Sequence, residues 1–318
     1  MRALWHALDT YNPFMASVLD RILEAEKPDV VNTHNITGFS VSSFSAVTAR
    51  GMPIVHTLHD QYFVCANSMM YRSGDNCASQ CMKCKILTAA RRRASQNASL
   101  VIGVSQFILD RHQEFGAFEN VDKRVIYNSV IVPESGNCAV RARDSKKFTF
   151  GYLGRIHPSK GLHDLVRAFS REQLGDSQLW IAGSGDSAYV ESLKVETACD
   201  ANVVWLGHVA ATTFLQELDV LVVPSRWNDT APLVVQEAFA HGVPVIGANR
   251  GGIAELIAPG IGWIYEPGRP EQLQRTLRLS YDARDSLHLI AKEARKYAAK
   301  FSPQQTLEEY LGAYAAVV

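Results

Sequence analysis

Residues 219–248 read DVLVVPSRWNDTAPLVVQEAFAHGVPVIGA and contain a complete strand–helix–strand unit. Two β-branched runs, DVLVVPS and VPVIGA, lie on either side of LVVQEAFAHG, a helix-forming run that Gly242 ends. A strand, a helix and a second strand in this order are typical of parallel strands joined by a crossover helix. The stretch therefore predicts an α/β fold.

The same alternation of short β-branched runs and longer amphipathic runs extends over almost the whole chain. Strands are predicted at 28–34, 53–59, 99–104, 124–128, 148–154, 179–183, 202–207, 219–225, 243–248 and 262–267. Two helices, near 284–301 and 303–318, end the chain. Residues 128–147 lose periodicity and gather Pro, Gly, Ser and charge, which indicates a linker. We predict two Rossmann-like domains that face a cleft, with ligands at the carboxyl ends of the strands.

The composition is that of a globular protein. Of 318 residues, 47% are hydrophobic, and 32 basic side chains balance 32 acidic ones, so no global field attracts nucleic acid. The N-terminus lacks the apolar core of a signal peptide, and no apolar run reaches the ~18 residues of a membrane span, so we predict a cytoplasmic protein. A basic run is interpreted as a solvated helix face, with peripheral contact to an anionic membrane as the alternative. The run consists of Lys83, Lys85, Arg91, Arg92 and Arg93.

The first candidate site is GYLGRIHPSKGL, residues 151–162. Here a predicted strand ends in Gly154 and Arg155, and a helix is predicted to begin near Ser159 as N-cap, with Lys160 in its first turn. Free backbone N–H groups, an arginine and a lysine would then converge on one point, which suits a phosphate. The alternative is a surface loop with two ordinary cations.

The second candidate is LWIAGSGDSA, residues 179–188, which resembles a loose G-x-G-x-x-A dinucleotide pattern. A nicotinamide-binding unit needs an acidic residue about 20 positions further on, whereas the next strand ends in Trp205, Leu206, Gly207 and His208. We therefore exclude NAD. Gly183 and Gly185 are predicted to let backbone approach a ligand, or simply to make a tight turn.

The third candidate lies in the opening stretch, where Asp229 and Glu237 are eight positions apart. Pro232 is predicted at the first helical position, so Asp229 precedes the helix and Glu237 lies inside it. Within one helix the two carboxylates would be ~12 Å apart along the axis, too far to flank one bond. With Asp229 on the loop, the N–H groups near Leu233 and Val234 can hold an anion between the two acids. Alternatively, Asp229 caps the helix and Glu237 is solvated.

Taken in order, GRIHPSKG, IAGSGD, VVWLGHV and PSRWNDTAPLVVQEAFAHGVPVIGANRGGIAELI resemble the donor half of the retaining family 4 glycosyltransferases of GT-B fold. The resemblance covers the chain from about Pro28 to its end. It implies metal-independent transfer of a sugar from a UDP- or GDP-linked donor to a glycan or polyprenyl-linked acceptor in surface polysaccharide biosynthesis, without a cofactor. The chain contains no D-x-D triplet, which agrees with a mechanism that uses no metal.

The resemblance also implies roles for residues. Arg155 and Lys160 would neutralise the diphosphate. The family pattern is E-x7-E, with the first acid on the donor sugar and the second on the nucleotide ribose; here the first is Asp229, whose carboxylate is retracted by roughly 1.5 Å. In PIVHTLHD, His59 matches the strand-end histidine of the family, and His56 is interpreted as structural. The predicted catalytic residues are His59, Asp229, Arg155 and Lys160, and the predicted donor-binding residues are Gly154, Arg155, Lys160, Gly183, Gly185, His208, Leu233, Val234 and Glu237.

The resemblance divides the chain into an acceptor-side domain at 1–140, a donor domain at 146–300 and a helix at 301–318 that packs back toward the first domain. Relatives begin with a strand, a Gly-rich loop and a helix before the segment matched by PDVVNTHN. On the order of 60 residues are thus absent by comparison. We expect either a fragment or an incomplete N-terminal sheet whose edge a partner covers.

Cysteines 65, 77, 81 and 84 lie just after the His59 strand. Their C-x3-C-x2-C spacing with an upstream thiol would suit a tetrahedral zinc site, and the alternative is free thiols in an acceptor-side loop.

Two other functions compete with sugar transfer. One is a nucleotide-sugar epimerase of similar fold, which does not explain Arg155, Lys160 and the two acids together. The other is a catalytically silent nucleotide-binding protein.

Overall fold

The computed structural model describes residues 2–131 and 147–318. The chain divides into two compact units: unit 1 comprises Met1–Asn128 and Gln304–Val318, and unit 2 comprises Ser129–Pro303. The predicted linker and the predicted domain limits at 140 and 146 fall mainly on residues 132–146, outside the described residues. Within the described ranges, no helix is both long and apolar enough to cross a membrane.

Unit 1 is built on a four-stranded parallel sheet in the order β1-β2-β5-β6. Its strands are β1 (Val31–Thr33), β2 (Ile54–Leu58), β5 (Leu100–Gly103) and β6 (Asp122–Val125), with a hairpin of β3 (Tyr71–Arg72) and β4 (Asp75–Asn76). Its helices are α1 (Arg2–Thr10), α2 (Pro13–Glu26), α3 (Ser42–Thr48), α4 (Met82–Leu87), α5 (Ala89–Ser95) and α6 (Gln106–Glu114). Every residue of β2 is buried, as expected for a parallel strand covered on both faces.

Unit 2 carries a six-stranded parallel sheet in the order β12-β11-β10-β7-β8-β9. Its strands are β7 (Phe148–Leu153), β8 (Ser177–Ala182), β9 (Val203–Gly207), β10 (Val220–Val223), β11 (Val245–Ala248) and β12 (Gly262–Tyr265). Its helices are α7 (Leu162–Glu172), α8 (Ser187–Glu196), α9 (Ala211–Gln216), α10 (Leu233–Ala240), α11 (Gly252–Leu256), α12 (Pro270–Asp282) and α13 (Leu287–Ala298). Short 3₁₀ turns span Pro158–Lys160, Arg284–Ser286 and Ala299–Phe301. The predicted α/β class with parallel sheets is confirmed.

The last helix, α14 (Pro303–Ala315), packs on the sheet of unit 1. Ala313 is fully buried in a cluster with Val55 and Ile102. The Tyr310 hydroxyl lies 3.2 Å from the Thr57 hydroxyl of β2. Residues more than 250 positions apart in the chain thus complete one core.

Two helix starts differ from the sequence-based prediction. Ser159 is not an N-cap: it lies inside the 3₁₀ turn, and the α-helix begins only at Leu162, because Gly161 adopts a left-handed φ of +70°. A Cβ on Gly161 would lie 1.9 Å from the Pro224 carbonyl oxygen, so only glycine allows this turn. Pro232 precedes α10 as its N-cap residue instead of occupying the first helical position.

Candidate active site

In unit 2 the candidate residues lie at the carboxyl edge of the sheet, around β7. Strand β7 lies between β10 and β8, so the loops after these three strands are neighbours. The chain after β7 continues alongside the chain after β8: Gly154 N–H donates to the Ala182 carbonyl at 3.1 Å, and Ile156 N–H to the Ser184 carbonyl at 2.8 Å. The first and second candidate motifs are therefore adjacent.

This close backbone approach explains the two glycines of the second motif. A Cβ on Gly183 would lie 1.8 Å from the Gly154 carbonyl oxygen, and one on Gly185 would lie 1.8 Å from that of Ile156. Either clash would push the two segments apart. Glycine is thus required by packing within the chain itself, and a role of Gly154, Gly183 and Gly185 in donor binding stays a prediction.

The turn at Pro158–Lys160 rests on the loop that follows β10. The Ser159 carbonyl accepts hydrogen bonds from the N–H groups of Arg226 at 2.9 Å and Trp227 at 3.0 Å. His157 stabilises the turn, since its Nδ1 accepts from Ser159 N–H at 3.2 Å. These contacts place Lys160 directly beside the loop that carries Asp229.

Lys160 and Asp229, 69 positions apart, form an ion pair. The Lys160 ammonium also lies over the Trp227 ring, 5.0 Å from its centroid. The Asp229 main chain is held by Gly252, whose N–H donates to its carbonyl at 2.7 Å. A Cβ on Gly251 would lie 2.1 Å from that same oxygen, so the loop needs glycine there. Two predicted catalytic residues are brought together, and the pairing itself was not predicted from the sequence.

The structure does not bring Arg155 into this pair. Its side chain is exposed, and in the described part of the chain it forms no ion pair. Its carbonyl oxygen accepts a hydrogen bond from the Tyr152 hydroxyl at 2.8 Å, which holds the backbone after β7. The guanidinium is therefore an available cation near the carboxyl end of the central strand.

Helix α10 contributes two of the predicted donor-binding features, its N-terminus and the Glu237 carboxylate. No side chain caps the helix, and the N–H groups of Leu233 and Val234 have no partner among the described residues. Burial raises the pKa of Glu237, with nearby His241 acting in the opposite direction. His208 is exposed in the loop after β9. The helix start can accept an anion, and the half-buried carboxylate can accept hydrogen bonds from a ligand.

In unit 1 a pair of histidines lies at the carboxyl ends of β1 and β2. The strands are parallel neighbours with Thr33 opposite His56, so the residues that follow them meet. His34 Nδ1 lies 2.9 Å from His59 Nε2, and the ring centroids are 5.2 Å apart. His59 was predicted from the sequence, whereas His34 was not. The available signal was the parallel between NTHN at the end of β1 and TLHD at the end of β2.

The surroundings of both rings favour their neutral forms. Partial burial lowers the pKa of His34, and the same effect together with the proximity of His34 lowers the pKa of His59. Burial also raises the pKa of Asp60, although the hydrogen bond that its carboxylate accepts from Tyr62 N–H at 2.8 Å opposes this. His56 is completely buried, which holds its pKa well below the ordinary value. Its contacts with Thr33 and aromatic rings are those of a structural residue.

A buried ion pair supports the loop after His59. Arg91 donates to Asp9 Oδ2 at 2.6 Å and to the Tyr62 carbonyl at 3.1 Å, and its guanidinium lies 3.9 Å from the Tyr62 ring centroid. Gly38 N–H donates to the other Asp9 oxygen at 2.7 Å. The interpretation of the whole basic run as a solvated face was therefore wrong for Arg91, which turns inward, whereas Lys83, Lys85 and Arg93 are exposed.

The cysteine loop carries free thiols. Cys65 Sγ and Cys84 Sγ are 4.0 Å apart, and burial raises the pKa of Cys84 to about 12. Hydrogen bonds from Cys84 lower the pKa of the exposed Cys81. Among the described residues, no group of three or more His, Cys, Asp or Glu side chains is placed to hold a metal ion. The thiols nevertheless lie near one another, since burial and the neighbouring thiols of Cys65 and Cys81 raise the pKa of Cys77, and the zinc alternative stays a prediction.

Unit 1 also contains an open cavity of 560 Å³ that the sequence analysis did not find. Trp5 and His6 of α1 line it together with Asn67, Ser68 and Lys83. Trp5 is 51% exposed, and the buried Nδ1 of His6 has no hydrogen-bond partner in the described structure. An aromatic face beside several short polar side chains is suited to a sugar ring.

Comparison with known proteins agrees with this architecture. Residues 138–297 match the family of glycosyl transferases group 1, and residues 2–132 match glycosyltransferase family 4. HepE of Anabaena, solved in complex with UDP, superposes with a TM-score of 0.76 at 21% identity, over 96% of this chain and 82% of HepE. The two sheets are thus those of a GT-B protein. The chain belongs to the glycosyl transferases group 1, a glycosyltransferase family.

Two curated relatives extend the comparison. An uncharacterized 42.6 kDa protein from the cps region of Klebsiella pneumoniae is 29% identical over 255 residues, which are 80% of this chain. An uncharacterized glycosyltransferase of Methanocaldococcus jannaschii is 26% identical over 286 residues, which are 83% of this chain. The chain spans 66% and 70% of the lengths of these two relatives, respectively.

Proposed function

We propose that the protein is a retaining, metal-independent glycosyltransferase that moves a sugar from a UDP-linked donor to a glycan or polyprenyl-linked acceptor. The observation that carries the proposal is the Lys160–Asp229 pair at the carboxyl edge of unit 2. It joins a cation suited to a diphosphate with a carboxylate suited to sugar hydroxyls. The complex of HepE with UDP supports a uridine donor.

In this mechanism the donor diphosphate is held by cations and backbone dipoles. Arg155, exposed and without an ion-pair partner in the described chain, binds one part of the diphosphate, and Lys160 turns from Asp229 toward it. The N–H groups of Leu233 and Val234 bind phosphate oxygens at the positive end of the helix dipole. Because these groups are in place before the reaction, they stabilise the charge that develops as the diphosphate departs.

The remaining residues orient the sugar and the nucleoside. Once Lys160 engages the diphosphate, the Asp229 carboxylate is released to accept hydrogen bonds from sugar hydroxyls. Glu237 accepts hydrogen bonds from the ribose. His59 contributes a neutral imidazole, which can donate at one nitrogen and accept at the other.

The transfer step needs no reactant besides the sugar donor and the acceptor. The bond between the anomeric carbon and the phosphate oxygen breaks as the acceptor oxygen approaches the same face of the sugar ring. The acceptor hydroxyl transfers its proton to an oxygen of the departing diphosphate, so the products are UDP and the glycosylated acceptor. Lys160 and Arg155 offset the charge of the leaving group, which is why the proposal requires no metal.

We place acceptor binding in the 560 Å³ cavity of unit 1. Trp5 provides a face for a sugar ring, and Lys83 provides a charge for an acidic sugar or for the phosphate of a lipid-linked acceptor. The Klebsiella relative from the cps region supports a role in surface polysaccharide assembly. Nucleotide sugars are cytoplasmic substrates, so we infer a cytoplasmic enzyme.

We further infer peripheral contact with an anionic membrane through α4. Met82 and Ile86, one helical turn apart, are 70% and 67% exposed. Lys83 and Lys85 are exposed beside them. Apolar side chains flanked by lysines are suited to the interface of an anionic bilayer, where a polyprenyl-linked acceptor would reside.

Calorimetric titration of the protein with UDP, GDP and ADP tests the donor site. We expect saturable binding of UDP that is weakened in Glu237→Ala and unchanged in the control Glu271→Ala, which alters an exposed glutamate of α12. Absence of binding by the folded protein would overturn the proposal. Binding without release of sugar from any UDP-sugar in the presence of acceptors would indicate a silent protein, and conversion of the sugar without an acceptor would indicate an epimerase.

A further inference from the structure

We propose that His34 is a positioning residue that orients the imidazole of His59 and selects which of its two nitrogens carries the proton. The inference rests on the proposed function, in which His59 takes part in sugar transfer. It adds a residue from a different strand and a chain of contacts that reaches the last helix.

The geometry joins the two rings directly. His34 Nδ1 and His59 Nε2 are 2.9 Å apart, within hydrogen-bond distance, and the ring planes are inclined by only 25°. Such a contact restricts rotation of the His59 side chain. The register of β1 and β2 enforces it, because both histidines follow paired strands at the same edge of the sheet.

A second set of contacts holds His34 from the other side. Asn32 Nδ2 lies 3.2 Å from His34 Nε2 and 2.6 Å from the Tyr314 hydroxyl of α14. The Tyr310 ring of the same helix lies 6.4 Å from the His34 ring. Four residues therefore form one line of contacts: Tyr314, Asn32, His34 and His59.

This line determines the tautomer of His59. When Asn32 donates to His34 Nε2, the neutral His34 ring carries its proton on Nδ1 and donates it to His59 Nε2. His59 then carries its own proton on Nδ1. Rotation of the Asn32 amide by half a turn would reverse every bond, and a single tautomer of His59 would again result. In both cases the two nitrogens in contact have complementary roles, so the proton position on His34 favours one tautomer of His59.

The experiment compares two substitutions of His34. In His34→Asn the side-chain amide occupies the position of Nδ1 and keeps a hydrogen bond to His59, whereas His34→Leu removes it. We expect His34→Leu to lower kcat about tenfold, the effect of one lost hydrogen bond, with an unchanged KM for the UDP-sugar. His34→Asn should recover most of this loss. His288→Leu, which alters an exposed histidine of α13, is the control.

A spectroscopic measurement reports the tautomer without reference to activity. In protein labelled with ¹⁵N-histidine, the nitrogen shifts of His59 should indicate one tautomer in the wild type and in His34→Asn, and a mixture in His34→Leu. His59→Ala identifies the signals. An unchanged kcat together with unchanged His59 shifts in a folded His34→Leu protein would overturn the inference.

The outcomes separate this inference from the proposed function. If His59→Ala retains full turnover, the role of His59 in transfer is wrong, while the nitrogen shifts still test whether His34 sets its tautomer. If His59→Ala lowers turnover and His34→Leu does not, only the inference about His34 fails. Should His34→Leu not fold, Tyr314→Phe removes the last link of the line, and a tautomer mixture in that variant is the expected result; a single unchanged tautomer there would overturn the inference.

Discussion

Two ion pairs, one in each unit, share their chemistry and differ in their surroundings. Arg91 and Asp9 lie inside unit 1, where their side chains are 1% and 3% exposed. Lys160 and Asp229 join two loops at the sheet edge of unit 2, where their side chains are 24% and 10% exposed. The first pair is enclosed by protein partners, whereas the second keeps a face open to solvent. Burial thus separates a pair that holds a fold from a pair that remains available to a ligand.

In the buried Asp9–Arg91 pair, each charge has several partners within unit 1. Gly38 N–H and the Arg91 guanidinium satisfy the Asp9 carboxylate, and the Tyr62 carbonyl and ring satisfy much of Arg91. Removal of one partner would leave a charge buried without compensation. In the open pair, a ligand anion can replace Asp229 as the partner of Lys160 without a change in the fold.

The largest expected effect is on the enclosed pair. Asp9→Asn leaves Arg91 buried without its counter-charge and should destabilise unit 1 by about 3 kcal/mol. Hydrogen exchange of peptides that contain β2 should accelerate strongly, while peptides that contain β7 should not change. Asp20→Asn, which alters a half-exposed pair with Arg50, is the control and should change little. Equal protection of β2 in Asp9→Asn and wild type would contradict the structural role.

The next effect should concern activity and not stability. Under the proposed mechanism, Lys160→Ala removes one cation from the diphosphate and should lower kcat/KM by about 10²–10³, the range seen when one transition-state donor is lost. Its unfolding midpoint should remain close to that of the wild type, since the pair is partly exposed. Lys194→Ala, which breaks an exposed pair with Glu191, should leave both quantities unchanged. A large loss of stability in Lys160→Ala would show that the Lys160–Asp229 pair, like Asp9–Arg91, stabilises the fold.

A third prediction uses the pH dependence of nucleotide binding. Burial raises the pKa of Glu237, and in the proposed donor site the ionised carboxylate accepts stronger hydrogen bonds from the ribose than the protonated form does. As the pH falls through this raised pKa, the carboxylate is protonated and UDP affinity should decrease, at a higher pH than for an exposed glutamate.

Glu237→Gln is the matched variant for this measurement. At pH 7 it should bind UDP about tenfold more weakly than the wild type. The UDP affinity of the variant should not change with pH through titration of residue 237. Titration of the UDP phosphate affects both proteins equally, so it cancels when the two calorimetric pH profiles are subtracted. If UDP affinity varied with pH in the same way in the wild type and in Glu237→Gln, Glu237 would not contact the nucleotide.

The smallest effect concerns the exposed charges of unit 1, which have neither an enclosed partner nor a place in the donor site. Lys85→Ala should weaken binding to phosphatidylglycerol vesicles, measured by co-sedimentation, by about 1 kcal/mol, and by more at low salt. Lys292→Ala, on an exposed position of α13, is the control. Binding that is insensitive to charge and salt would exclude an electrostatic membrane contact.

Much of the fold could be predicted from local patterns. All ten predicted strands form within a few residues of their expected positions, because β-branched runs and their periodicity are properties of neighbouring residues. The hairpin of β3 and β4 was not predicted, since two-residue strands carry no periodic signal. Ser159 was assigned to the wrong local structure because Gly161 adopts its turn only against the Pro224 carbonyl, 63 positions away.

The candidate site divides in the same way. The types of residue at the strand ends, such as Arg155, Glu237 and His59, could be read from the chain because strand ends are local features. Which of these residues contact one another could not be predicted. The contact of His34 with His59 depends on the pairing of β1 with β2, and the 560 Å³ cavity depends on how α1 lies beside the cysteine loop. The residues that the sequence analysis missed are those whose role is defined by a neighbour.

Local sequence patterns are sufficient to predict the α/β class, the order of strands and helices, and the glycosyltransferase family, because each depends on periodicity or on motifs within about 30 residues. The folded structure alone shows which groups meet: Asp9 with Arg91, Lys160 with Asp229, and His34 with His59. These contacts form because the sheet order brings particular loops together, and burial and charge pairing follow from that. Two charges of the same type can therefore be structural in one unit and available to a ligand in the other.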